Sequence, residues 1–249
     1  MTKLTELKIE EFAIDLLKDQ GYKHIYAPRV APNSDNPLRN SFNDVLLESQ
    51  LRSAIDRINP DIDPEIGNEV LGIVKRIESL DLISSNEAFH SMMIEGVNVI
   101  TRKNGEDRGD YIKLIDFDNP ENNEFSVVNQ FTVTCNNQTK RPDIILFING
   151  LPFVVMELKN SANENTTIAS AYNQLQTYIK TIPSLFVYNS ILVISDGLEA
   201  KVGSLSSELS RFMAWKSSDG KTEGLNTIPQ LDTLIKGMLN TGQLHEIFC

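Results

Sequence analysis

The chain has 249 residues, 41% of them hydrophobic, which is enough to bury one sizeable core or two small ones. Its 23 Lys and Arg against 34 Asp and Glu leave a net charge of −11, which excludes a simple electrostatic nucleic-acid binder. No apolar run approaches the roughly 18–20 residues of a membrane span. The N-terminus has neither the apolar core nor the small-residue cleavage site of a secretory signal. Two cysteines, Cys135 and Cys249, and three scattered histidines, His24, His90 and His245, provide neither a disulfide framework nor zinc spacing. The expectation is a cytoplasmic chain of a reducing compartment, with no membrane partner.

In chain order, Leu4, Leu7, Ile9, Phe12, Ile14, Leu16 and Leu17 form the apolar face of a first helix that Gly21 stops. Residues 28–42, with Pro28, Pro32 and Pro37 among asparagines, read as an irregular surface loop. Amphipathic helices follow over 43–59 and 64–80, and a shorter one over 86–95, capped by Ser85 or Asn86. After Gly96 the texture turns to strands over 97–101, 111–117 and 125–135. Residues 141–159, RPDIILFINGLPFVVMELK, are two strongly apolar strands about an Asn149-Gly150 turn, apolar on both faces and so covered from both sides. A helix over 166–181, capped from the cluster Asn163, Asn165 and Thr166, leads to a buried strand over 190–195. Helical texture returns over 230–248. This order predicts an α/β fold: a mixed central β-sheet flanked by helices, with an additional N-terminal helical segment and a right-handed strand–helix–strand crossover.

Phosphate loops, dinucleotide fingerprints, nucleophile elbows and H-E-x-x-H are all absent from the sequence, so ATP-driven chemistry would have to come from elsewhere. What stands out is the second strand of the hairpin. Glu157 and Lys159 are two apart and share a face, and they follow an apolar run that implies burial. A buried carboxylate and ammonium are costly unless paired or bound to a metal. Asp143 opens the preceding strand after Arg141-Pro142, so three charged groups converge at one end of the hairpin. Metal-assisted phosphodiester hydrolysis fits them: Asp143 and Glu157 as oxygen ligands for Mg²⁺, and Lys159 to orient or deprotonate water or to neutralise charge on the phosphate.

Pro142-Asp143 followed fourteen residues on by Glu157-x-Lys159 resembles the PD-(D/E)XK nuclease signature. The longer string RPDIILFINGLPFVVMELKN resembles the nuclease domain of the restriction subunit of type I restriction–modification enzymes. Gln174 and Tyr178, in AYNQLQTY, match the Q-x-x-x-Y motif those subunits carry after the lysine. Ile9-Glu10 stands where the family has an acid on the first helix, with Glu6 and Glu11 as competitors. The resemblance implies a Mg²⁺-dependent endonuclease domain that cuts DNA nonspecifically after ATP-driven translocation. Asp143, Glu157 and Lys159 would be catalytic, Asp143, Glu157 and Glu10 metal ligands, and Gln174 and Tyr178 DNA-binding or site-supporting. It implies further that the partners are DNA, modification and specificity subunits, and motor domains that alone bind ATP. On this reading the chain is a single domain over 1–249, an N-terminal fragment of a larger subunit. A helical segment over about 41–95 is inserted after the first core helix, and a catalytic core spans about 96–200. The alternatives are a catalytically silent docking module of the same fold and a freestanding structure-specific nuclease.

The remaining candidates have plainer explanations. Lys140-Arg141 is a charged turn that could touch phosphate. Trp215 serves packing, and His90 and Cys135 are partly buried without chemistry. Asp61, Asp63 and Glu65 lack calcium-loop spacing.

The hairpin carries one geometric expectation. A two-residue Asn149-Gly150 turn would pair Asp143 with Met156 and point it away from Glu157. A common metal site therefore needs a three-residue loop Ile148-Asn149-Gly150, the favoured expectation, or a β-bulge nearer the active end.

Overall fold

A computed structural model describes residues 6–77, 79–103, 106–160, 168–221 and 229–242. The apolar stripe of the first segment forms helix α1 (Glu6–Asp19), and Gly21 ends it at φ 95°, where a side chain would be strained. Strand β1 (Lys23–Tyr26) follows at once. Then come α2 (Glu48–Ile58), α3 (Pro64–Lys75) and α4 (Leu82–Glu95). Strands β2 (Val97–Lys103) and β3 (Glu106–Ile112), β4 (Phe125–Asn129), β5 (Val133–Cys135) and β6 (Gln138–Lys140) lead into the apolar pair β7 (Ile144–Ile148) and β8 (Leu151–Leu158). Helices α5 (Ile168–Thr181) and α6 (Pro183–Phe186), strands β9 (Ile191–Ser195) and β10 (Ala200–Gly203), and helix α7 (Gln230–Gly237) complete the described elements.

Among the described residues the central sheet has six strands in the order β1-β4-β7-β8-β9-β10. It is mixed: β1 runs parallel to β4 and β8 parallel to β9, while the other neighbours are antiparallel. Every residue of β7, β8 and β9 is buried, as their continuous apolar runs require of strands covered on both faces. Helix α5 crosses over between β8 and β9 and packs on both, and α1 packs against β1, β4, β8 and α7. The mixed sheet with flanking helices is the α/β architecture anticipated. Among the described residues, strands β2 and β3 pair only with each other, and β2 leans on α3 and α4.

Several boundaries differ from expectation. Helix α2 begins at Glu48, not residue 43, because Val45–Leu47 stays buried and non-helical and Leu47 N–H bonds the Gly150 carbonyl at 3.0 Å. Helix α3 stops at Lys75, well short of residue 80. Asp81, rather than Ser85 or Asn86, caps α4 by accepting from Ser84 N–H at 2.9 Å. The strand expected over 111–117 is instead β3, ending at Ile112. Beyond it Asp116 gathers amides from Asp118, Asn119 and Asn122 into a loop. The single strand expected over 125–135 breaks at Gln130, whose φ of 58° turns the chain. The loop over 28–42 is not wholly superficial, since Arg39 is buried with its guanidinium 3.7 Å from the centre of the Phe131 ring. The expected caps Asn163, Asn165 and Thr166, and residues His245 and Cys249, lie outside the described residues.

The favoured three-residue loop does not occur. Asn149 and Gly150 both have positive φ, 52° and 81°, and Ile148 pairs directly with Leu151: a two-residue turn of the mirror-image type. Parity is restored by the alternative device. Between the pairs Phe147↔Pro152 and Leu146↔Val154 the register shifts, leaving Phe153 as the extra residue of a β-bulge. The ladder then runs to Ile144↔Met156, and one residue further sets Asp143 opposite Glu157.

Candidate active site

The end of the hairpin away from the turn carries the charged groups. Glu157 is the penultimate residue of a central strand and only 2% exposed. Lys159 leaves the strand end, anchored by its N–H to the Ser195 carbonyl at 2.8 Å, and its Nζ lies 2.5 Å from Glu157 Oε1. Asp143 is held from the facing strand, its Oδ2 accepting the Leu158 N–H at 2.8 Å. Glu157 Oε2 is buried with no hydrogen-bonding partner among the described residues.

The electrostatics follow from burial. Desolvation pushes the Asp143 carboxyl up to about 6, against a weaker pull from the Leu158 amide and Lys159. Desolvation, with the Asp143 charge adding to it, pushes Glu157 up to about 7. Burial works to lower Lys159, but its bond to Glu157 and the nearby carboxylates outweigh this and its pKa is raised. Lys159 is therefore a cation at neutral pH. Tyr178 on α5, buried against the site, has its hydroxyl beside Gln174 and close enough to Glu157 to favour the carboxylate form. It leaves Oε2 without a bond.

Glu10 is also buried, on α1, and its charge reaches Asp143. Both of its oxygens are occupied: Asn129 Nδ2 donates to Oε1 at 2.6 Å and Gln130 Nε2 to Oε2 at 2.9 Å. Among the described residues no three His, Cys, Asp or Glu side chains converge to hold a metal ion by themselves. The pair Asp143 and Glu157 fits a hard cation that takes one or two carboxylates and fills its other positions with water and phosphate. The unpartnered Oε2 is what suits it, since an orphaned buried oxygen costs stability unless something binds it.

Sequence reasoning missed Asn129 and Gln130, the donors that hold Glu10. Asn129 ends β4 and Gln130 follows it, and nothing beside them in the sequence marks them as partners of a helix 119 positions away. Lys140 is partly buried at the end of β6 and Arg141 is exposed, both a few residues before Asp143. His90 Nε2 faces the Asn189 carbonyl at 3.2 Å, to which it can only donate, and the Ser190 hydroxyl at 3.1 Å, away from these charges in the sequence.

The mixed sheet thus presents two carboxylates and a lysine at the end of one buried hairpin. Residues 3–211 match the type I restriction enzyme R protein N terminus, and the chain belongs to that family. It is 34% identical over 246 residues to the type I restriction enzyme HindI endonuclease subunit of Haemophilus influenzae, covering 98% of this chain and 23% of that protein. It is 35% identical over 257 residues to the type I restriction enzyme MjaIXP endonuclease subunit of Methanocaldococcus jannaschii, covering 96% and 24%. The chain thus spans about a quarter of the length of these curated relatives. No helix among the described residues is long and apolar enough to cross a membrane.

Proposed function

We propose that the chain is a Mg²⁺-dependent endonuclease domain of a type I restriction enzyme, of the PD-(D/E)XK type, acting on DNA in the cytoplasm. The observation that carries this reading is the buried, unpartnered Oε2 of Glu157, with Asp143 across the hairpin and Lys159 bonded to the other oxygen. Asp143 and Glu157 would hold the cation, which when bound polarises a phosphodiester and acidifies water. Lys159, charged at neutral pH, would stabilise charge gathering on the phosphate oxygens. Tyr178 and Gln174 would hold the Glu157 carboxylate in its ionised form. Glu10, restrained by Asn129 and Gln130, would contribute its charge from α1 and could reach a ligand only by releasing an amide.

ATP-driven translocation would belong to motor domains, and recognition and methylation to specificity and modification subunits. The charge of −11 suits a domain delivered to DNA by partners. The test is Glu157→Ala in the assembled enzyme. Cleavage should disappear while DNA-stimulated ATP hydrolysis persists. Full cleavage by that variant would reject the assignment.

A further inference from the structure

We propose that Asn189 is a positioning residue for the candidate site, because it holds the bulge at Phe153 that puts Asp143 and Glu157 on one face. The consequence for a bound cation rests on the function proposed above; the effect on strand register does not.

In an uninterrupted ladder grown from the Asn149-Gly150 turn, the pairs 148↔151 and 147↔152 would be followed by Leu146 with Phe153 and, at the far end, Asp143 with Met156. The two carboxylates would then project from opposite faces of the hairpin. The observed ladder departs from this at one residue. Phe153, which would have exchanged hydrogen bonds with Leu146, instead turns its carbonyl toward β9. There it accepts two donors, Ser190 N–H at 2.9 Å and Asn189 Nδ2 at 3.1 Å. Pro152, with no N–H to place, precedes the bulge and lies ahead of the β9 pairing, which begins at Val154.

Asn189 is fully buried. Its Nδ2 bridges Phe153 O and Ile191 O, the second at 2.9 Å, so these carbonyls fix which way the amide points. Its Oδ1 has no hydrogen-bonding partner among the described residues. A buried amide satisfied at one end only is a poor way to fill a core, and an apolar side chain of that size would avoid the penalty. The amide makes sense as a clamp on the displaced carbonyl. The clamp is itself fixed: Asn86 Nδ2 donates to the Asn189 carbonyl at 2.7 Å and also to Phe186 and Val187 carbonyls, tying this corner to α4.

The test uses the 249-residue chain carrying Asn189→Ala, with two readouts besides a melting curve. Proton NMR reports the register through the Cα-proton contact between Ile145 and Val155, which an unbulged ladder replaces with Ile145 to Val154. Mn²⁺ titration, followed by water relaxation, reports the site. We expect the Ile145–Val155 contact to weaken and Mn²⁺ to bind about tenfold or more less tightly, the scale seen when groups supporting metal ligands are removed. A variant that merely melts earlier, with contact and affinity both unchanged, overturns the proposal. So does either readout staying at the wild-type value. Should the alanine variant not fold, Asn189→Ser is read in the same way, since its hydroxyl is one bond too short to reach Phe153. Failure of the wild-type chain to bind Mn²⁺ would reject the metal reading, and the register contact would still decide the role of Asn189.

Discussion

Lys159 Nζ sits 2.5 Å from one oxygen of Glu157, while the other oxygen of the same carboxylate is buried without a partner. The lysine therefore neutralises Glu157 without closing it off. Replacing Lys159 with Ala should slow nicking of supercoiled plasmid by the assembled enzyme by at least roughly 10²-fold, the cost of a lost transition-state charge. Metal affinity should change less than in Asp143→Ala. A Lys159 variant that nicks at the normal rate would reduce the pair to a structural ion pair.

The metal-free chain should lose stability as pH rises. Asp143 and Glu157 have folded pKa values of about 6 and about 7, above their ordinary 3.8 and 4.5. Groups raised on folding contribute stability that is full below the unfolded value and lost as pH climbs through the folded one. In EDTA, calorimetric melting should therefore fall between about pH 4 and about pH 8, and the double variant Asp143→Asn, Glu157→Gln should flatten that fall. Identical pH profiles for the two proteins would show that these carboxyls are not the cause.

Tyr178→Phe removes the hydroxyl that favours ionised Glu157. Glu157 should then hold its proton to still higher pH, and Mn²⁺ binding at neutral pH should weaken by up to about tenfold. The loss should diminish in alkaline buffer, where the carboxyl ionises anyway. Titrations at two pH values check both parts, and a loss independent of pH would point to packing instead.

The turn should be intolerant of side-chain change. Asn149 is buried, donating to Leu114 O at 3.0 Å and Asn123 Oδ1 at 2.8 Å while accepting Glu124 N–H at 2.8 Å. Asn149→Ala should cost about 2–4 kcal/mol by urea unfolding, since it orphans these groups at a positive φ. Gly150→Ala should also destabilise, because the new Cβ would overlap the Leu47 carbonyl oxygen. Wild-type midpoints in both would mean that neither the 114–124 loop nor the 45–47 segment depends on this turn.

What could be read in advance was whatever local chemistry dictates. Asn149-Gly150 announces its turn, the apolar runs of β7 and β8 announce their burial, and the order of elements gives the α/β class. What could not be read depends on partners distant in sequence. The bulge at Phe153 is set by a clamp 36 positions away. Strand β1 is largely exposed and so lacks apolar alternation; it exists because β4 offers a parallel edge. Val45–Leu47 has the apolar content of a helix face yet stays out of the helix because Gly150 takes its N–H. At the site, the residue types of Asp143, Glu157 and Lys159 were visible in the string, whereas the amides holding Glu10 became visible only once α1 lay beside the end of β4.

Arg39 changes how the segment before α2 meets other molecules. Its side chain is withdrawn between Phe131 and Phe42 and donates to the Asp44 and Thr132 carbonyls, and burial lowers its pKa to about 10. A protease must draw an extended stretch of chain into its cleft, which loops allow only where they can open locally. Trypsin should therefore cut after exposed Arg29 well before Arg39, although the two stand in the same proline-broken stretch. Nicking at Arg39 would then report that the guanidinium had left its aromatic seat, and with it that the loop had come away from the β4–β5 corner.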